Sequence, residues 1–373
     1  MSGSEVPALR RAHVDLGAIR ENVAHVVRGV APARVLAVVK ADGYGHGAVE
    51  VASAALEGGA SALGVADVDE ALALRAAGIA APVLAWLHRA DPVFDVAVAN
   101  DITLGISTPG QLERAIEAGS PEKPAVVQLK IDTGLGRNGA ERAQWQPLLE
   151  AVAEGEASGR LRFEGLFSHL SNAGDVEDRA QLAAFDEATA LAHRLGLRPG
   201  LRHLASTAGA MRLPETRLDQ VRLGIGLYGL SPYDGVTSAE LGLRPAMRLE
   251  SRLISVKRVP AGTGVSYGYT YRPEHDSWLG LVPLGYADGI PRHVSNRGSV
   301  WVNGAQHPIV GRVAMDQFVV DLGSAPAAVG DRVVLFGDPD EGYPSADDWA
   351  EAASTINYEI VTRLGRRIER VYE

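Results

Sequence analysis

At 373 residues, with 36 basic against 46 acidic side chains and a net charge of −10, the chain is longer than one hydrophobic core usually serves, and it lacks the positive balance that nucleic acid or an anionic membrane would ask for. It has no cysteine, which excludes disulfides, thiolate metal sites and cysteine nucleophiles. Hydrophobic content of 46% with 22% charged residues is that of a soluble globular protein, and the opening MSGSEVPALRRAH has no apolar run of signal-peptide length, so a cytoplasmic protein is expected.

From about residue 10 to 235, short β-branched runs recur: ARVLAVVK, ALGVAD, APVLAWL, ITLGIS, AVVQLKID, LRFEGLFSHL, LRHLAST and QVRLGIGLYG. Between them lie alanine- and leucine-rich stretches, of which 109–119 and 176–195 read at helical period. Continuous apolar runs indicate strands buried on both faces, as in a parallel sheet. Eight of them fit an N-terminal (β/α)8 TIM-type barrel over residues 1–240, with an open doubly wound sheet as the competitor. Beyond about residue 240 the texture changes. MRLESRLISVKRV, WLGLVPLGYADG, GSVWVNGAQHPIVGRV and DQFVVDLG read as strands joined by glycine turns, with VNGA a hairpin. Residues 241–373 are therefore expected to form a C-terminal mostly-β domain carrying one last helix around SADDWAEAASTINYEIVTRL.

Polar residues fall at the ends of the apolar runs. Lys40 closes the first run and opens into ADGYGHGA; Lys130 and Arg137 flank the end of AVVQLKIDTGLGR; His169, Thr207 and Arg222 occupy similar places. Taken singly, a lysine at a strand end is usually a solvated charge and a lone histidine a satisfied structural group. Strand ends converge at the mouth of a barrel, however, and six such residues on one rim indicate a site. A lysine there is partly desolvated, which lowers its pKa and frees its amine to condense with an aldehyde. Backbone N–H groups at Gly224 and Ile225, with the hydroxyl of Thr207, would suit a phosphate.

Together, AVVKADGYGHGA, VDLGAIRENV, LKIDTGLGRNG, FSHLSNAG, VRLGIGLYGL, GVSYGYTYR, PLGYADG, VGRVAMDQ and INYEIVTRLGRR resemble, in order and over nearly the whole chain, the motifs of the alanine racemases. These are fold-type III enzymes dependent on pyridoxal 5′-phosphate (PLP). The resemblance implies a head-to-tail homodimer with shared sites, acting on L- and D-alanine and supplying D-alanine for peptidoglycan. It implies that Lys40 carries PLP covalently and acts as one of two bases, the other being Tyr267 of the partner subunit. Tyr269 and Tyr271 read better as packing residues. By the same resemblance Arg222 faces the pyridine nitrogen, with His169 bonded to it. Tyr44, Ser206, Thr207, Gly224, Ile225 and Tyr358 surround the phosphate. Many relatives read Asn-Ser where this chain has Ser206-Thr207, which keeps the hydroxyl but not the amide. Arg137 and the backbone of Met315 would take the substrate carboxylate, and Tyr286 would narrow the entrance from the partner. Lys130 matches a lysine that is carbamylated in some relatives. No metal is implied.

Three rivals stay open. One is a racemase preferring another small amino acid such as serine, since one methylene discriminates by only about 1–3 kcal/mol. Another is a PLP-dependent decarboxylase, although those usually carry a cysteine in the shared site and a carboxylate at the ring nitrogen, where this chain has Arg222. The third is a non-catalytic PLP-binding protein of a single barrel, which would leave the C-terminal domain unexplained.

Overall fold

The computed structural model describes residues 9–373. The chain opens with strand β1 (Arg10–Val14) and then lays down eight short strands: β2 (Arg34–Val38), β3 (Ala62–Val65), β4 (Val83–Ala85), β5 (Ile102–Ile106), β6 (Ala125–Lys130), β7 (Leu161–Phe167), β8 (Leu201–His203) and β9 (Gln220–Leu223). These are the eight apolar runs of the sequence. Helices cross between most of them, and the strands pair in parallel in the order β8-β7-β6-β5-β4-β3-β2-β9. The seam between β8 and β9 has no continuous ladder. It is drawn together by Asp219 N–H to Arg202 O at 3.1 Å and Arg222 N–H to Ala205 O at 3.0 Å, so the barrel is nearly closed.

Helix starts follow local chemistry. The Asp15 carboxylate accepts from Ala18 N–H at 2.8 Å ahead of the helix Leu16–Val30. Asp67 does the same for Val68–Ala76, and Thr108, followed by a proline, for Pro109–Ala118. The helix expected over 176–195 is found at Asp175–Arg194.

The remaining strands are β10 (Met247–Arg252), β11 (Ser255–Val259), β12 (Ser277–Val282), β13 (Ser299–Val302), β14 (Ala305–Val310), β15 (Phe318–Gly323), β16 (Arg332–Phe336) and β17 (Glu369–Tyr372). Together with β1 they form one nine-stranded sheet ordered β11-β12-β15-β14-β13-β16-β10-β1-β17. The VNGA hairpin joins β13 to β14 with Asn303 and Gly304 at φ of +48° and +93°, as a two-residue turn between twisted strands requires.

Two expectations are corrected. Strand β1 lies within residues 1–240 yet belongs to the second sheet, antiparallel to β10 and parallel to β17. Its sequence RRAHV alternates instead of running apolar, because only Ala12 and Val14 are buried. The single last helix is two, Ala346–Ala353 and Asn357–Thr362, interrupted at Ser354 with φ +56°. The second of these helices packs beside the loop that follows Lys40, and one continuous apolar core runs from the barrel into the sheet.

Candidate active site

Lys40 follows β2 directly, and the backbone after it turns left-handed. Ala41, Asp42, Gly43 and Tyr44 have φ of +52°, +53°, +59° and +51°. This conformation costs about 1–2 kcal/mol for each residue with a side chain, so the surroundings must impose it. Glu70 accepts from Ala41 N–H at 2.7 Å, and Asp42 accepts from Ala48 N–H at 3.0 Å. The ring Nδ1 of His46 lies 3.1 Å from Gly43 O and 3.0 Å from Tyr44 O; facing two carbonyls, it must carry the proton. Burial pushes His46 down to about 4, so the ring stays neutral. The glycines have a specific cause. A Cβ on Gly45 would sit 2.4 Å from Val361 O, and one on Gly47 would sit 2.0 Å from the Tyr372 hydroxyl. The loop is thus threaded under the C-terminal helix and strand.

Lys40 projects into a cavity of about 400 Å³ at the C-terminal ends of the barrel strands. Eleven of the residues singled out in the sequence line it: Lys40, Tyr44, Lys130, Arg137, His169, Ser206, Thr207, Arg222, Gly224, Ile225 and Tyr358. Four of them are cationic. Burial, and then Arg137, lowers the Lys40 amine. Burial, then Arg222, Arg137 and Lys40, pushes Lys130 down to about 8. Such an excess of positive charge suits a ligand bearing a phosphate and a carboxylate.

Arg222, 6% exposed, pairs with no carboxylate among the described residues. Its Nη2 donates to Ser168 O at 2.7 Å, Leu204 O at 3.0 Å and His169 Nδ1 at 3.0 Å; its Nη1 donates to His203 Nδ1 at 2.9 Å and His203 O at 3.2 Å. Both imidazoles accept through a bare nitrogen, so both are neutral. Burial, then Arg222, pushes His169 down to about 3, and the same two causes hold His203 well below the usual histidine range.

On the opposite wall, Thr207 Oγ1 accepts from Gly224 N–H at 3.1 Å and from Gly226 N–H at 3.4 Å. The Gly224 N–H, expected to face a phosphate, is therefore already engaged, and the hydroxyl proton of Thr207 is left to donate. Ile225 opens the short 3₁₀ turn Ile225–Tyr228, where its N–H has no earlier carbonyl of the turn to meet. Burial drives the Tyr44 hydroxyl strongly up and Tyr358 to about 12, keeping both as phenol donors. A Cβ on Gly224 would lie 2.9 Å from the Tyr44 hydroxyl, so the backbone approaches that ring closely. The hydroxyls, the Ile225 N–H and the cations together fit a ligand that carries a phosphate and an aldehyde, as PLP does.

Tyr267, Tyr286 and Met315 do not line this cavity. They are exposed, at 70%, 45% and 54%, on loops of the nine-stranded sheet. Those loops are tied to one another: Ser266 Oγ donates to Arg312 O at 2.6 Å, Tyr286 N–H to Ala314 O at 3.1 Å and Ala287 N–H to Met315 O at 3.0 Å. The sequence reading missed Trp86, 6.0 Å from the Lys40 amine, and Phe167, whose ring lies 5.8 Å from both Lys130 and Arg222. It also missed His203. As aromatic residues within or beside strand runs, they carried no signal separating them from core.

The family profiles "Alanine racemase, N-terminal domain" and "Alanine racemase, C-terminal domain" match residues 14–232 and 246–372. The chain is 50% identical over 365 residues to an alanine racemase of Salinispora tropica, covering 96% of this chain and 97% of the relative. It is 48% identical to that of Thermobifida fusca, covering 97% of each. Among solved structures, alanine racemase from D-cycloserine producing Streptomyces lavendulae superposes with a TM-score of 0.96 at 46% identity, covering 99% of this chain and 98% of the other. The enzyme from E. faecalis superposes with a TM-score of 0.90 at 36% identity, covering 99% of each.

Proposed function

Since this chain belongs to the alanine racemase family of amino-acid racemases, we propose that it interconverts L- and D-alanine on PLP held by Lys40, as a cytoplasmic homodimer with shared sites whose product feeds peptidoglycan. The observation that carries this reading is a half-buried lysine of lowered pKa at a strand end, in a pocket with three further cations. What PLP supplies when bound is an electron sink for the charge left when the α-proton departs.

Lys40 Nζ removes or returns that proton on one face of the substrate. Tyr267 of the partner subunit serves the other face; its exposure on the sheet loops, beside Met315 and Tyr286, supports a surface that a second copy presents to the pocket mouth. Arg222 has no proton to give, so it binds the cofactor's ring nitrogen without protonating it, and His169 steadies the guanidinium. Tyr44, Ser206, Thr207, Ile225 and Tyr358 hold the phosphate, and Gly224, whose N–H is taken by Thr207, lets the backbone come close to the Tyr44 hydroxyl. Arg137 and the partner's Met315 N–H orient the substrate carboxylate, and Tyr286 narrows the entrance. Lys130, with a fraction of its amine neutral near pH 8, takes up CO2 to give a carbamate and a proton, and the resulting anion offsets Arg137.

Incubating the PLP-loaded protein with L-alanine in heavy water tests the whole reading. Loss of the α-proton signal with D-alanine by chiral assay is expected. Exchange without inversion would remove Tyr267 from its role, and exchange on serine in preference to alanine would move the substrate.

A further inference from the structure

Period-2 alternation stacks two polar layers inside the barrel. Val38, Lys130 and Arg222 line the cavity at the mouth, and the residues two positions earlier on the same strands, Leu36, Gln128 and Gln220, line a second cavity of about 110 Å³ at the opposite end. The layers are joined by a buried chain of hydrogen bonds. Gln128 Nε2 donates to Glu164 Oε2 at 2.8 Å, Gln128 Oε1 meets His203 Nε2 at 2.6 Å, and His203 Nδ1 accepts from Arg222 Nη1 at 2.9 Å.

The direction of this chain is set from both ends: Arg222 only donates, which requires a bare His203 Nδ1, and the lower end must agree with it. Glu164 accepts from Arg162 at 3.2 Å, and the Thr103 hydroxyl reaches it at 3.5 Å. Its side chain is 22% exposed beside the lower cavity, and its other oxygen is paired with the Arg162 guanidinium at 3.2 Å. An ionised carboxylate only accepts, so the Gln128 amide must turn its NH2 toward Glu164 and its oxygen toward His203. That oxygen requires a proton on His203 Nε2, which leaves Nδ1 bare for Arg222. Gln128 is 3% exposed and His203 is fully buried, so no bulk water can substitute for either partner. The Phe167 ring, parallel to His203 within 3° and 4.9 Å away, holds the imidazole plane. The other tautomer would aim an N–H at the guanidinium.

We propose that Glu164, at the base of the barrel, is a positioning residue for Arg222: through Gln128 it supports the His203 tautomer that the guanidinium requires, and so the placement of that guanidinium in the active site. Its effect on turnover rests on the reading of Arg222 as the partner of the cofactor's ring nitrogen; its effect on His203 does not.

The test is nitrogen NMR of 15N-histidine-labelled protein, with and without PLP, the His203 signals being assigned by their loss in His203→Asn. The wild type should show His203 protonated at Nε2 in both states. In Glu164→Gln, whose amide can donate to Gln128 and let it flip, the two ends of the chain compete for His203, and its proton should move partly to Nδ1 with the guanidinium displaced. In the loaded enzyme, kcat should fall about tenfold, the scale of one lost hydrogen bond to a charged group, with KM little changed, and the visible band of bound PLP should shift. A wild-type His203 protonated at Nδ1 would overturn the proposal, even if the variant failed to fold. So would a variant that loses activity with its tautomer unchanged. If the protein took no PLP, the function proposed above would fall, while the tautomer in the unloaded protein would still decide this one.

Discussion

The ring of Tyr44 stacks on that of Tyr228, with centroids 4.7 Å apart and planes 20° from parallel. Tyr228 is fully buried and its hydroxyl donates to Val38 O at 2.9 Å, two residues before Lys40. Tyr228→Phe keeps the stack and removes only that bond, leaving a buried carbonyl short of a partner. We expect a loss of about 1–3 kcal/mol in denaturant unfolding. A midpoint equal to wild type would mean that the carbonyl is satisfied without the phenol.

Gly45→Ala should destabilise more than Gly47→Ala. Both have positive φ, but the obstacle at Gly45 is the main-chain oxygen of Val361, which cannot move without its helix, whereas at Gly47 it is the end of the Tyr372 side chain. Combining left-handed strain with overpacking, about 2–4 kcal/mol is expected at Gly45. Thermal unfolding of the two variants side by side gives the order, and the reverse order would contradict this packing.

Acid should weaken the protein well above the carboxylate range. His46 and His88 are pushed down to about 4 and His169 to about 3, in each case chiefly by burial, and His203 lies lower than an ordinary histidine for the same reason. Below pH 6.5 the unfolded chain takes up protons on these rings while the folded one does not, so stability falls with falling pH from about 6.5 to about 4. The slope is up to about 1.4 kcal/mol per pH unit for each ring. Unfolding midpoints at pH 7 and pH 5 check this; equal values would mean the rings protonate in place.

Arg222→Glu places a group able to protonate a ring nitrogen where the guanidinium now cannot. With PLP and L-alanine bound, a new long-wavelength absorption band and slow transamination should appear as racemisation falls. Spectra and product analysis identical in kind to wild type would remove Arg222 from this role.

Lys130 should carry a carbamate. Protein equilibrated with 13C-bicarbonate should show a carbonyl resonance that is absent in Lys130→Ala. Its absence from the wild type would leave the fourth cation of the pocket in place.

The eight barrel strands were legible because burial on both faces writes an uninterrupted apolar run, and the rim residues because a charge ending such a run stands out. Glu164, Gln128 and His203 were not legible. Each sits inside a run, where one polar residue reads as a tolerated exception, and their meaning lies in contacts between neighbouring strands. Tyr267, Tyr286 and Met315 were named only through motifs, since nothing in an exposed tyrosine or methionine says what it will face. The left-handed turn after Lys40 was half legible: its glycines announced a loop, but Ala41, Asp42 and Tyr44 gave no sign of positive φ.

The insertion of β1 between β10 and β17 sets the order in which this molecule can be built. Arg11 pairs with Glu369 across 358 positions and His13 with Glu250 across 237, so β1 stays without its neighbours until most of the chain that follows it exists. Such remote closure is slow and leaves strand edges open meanwhile. The barrel, whose strands pair mostly with the next one in sequence, can assemble first; the sheet that carries Tyr267 comes last.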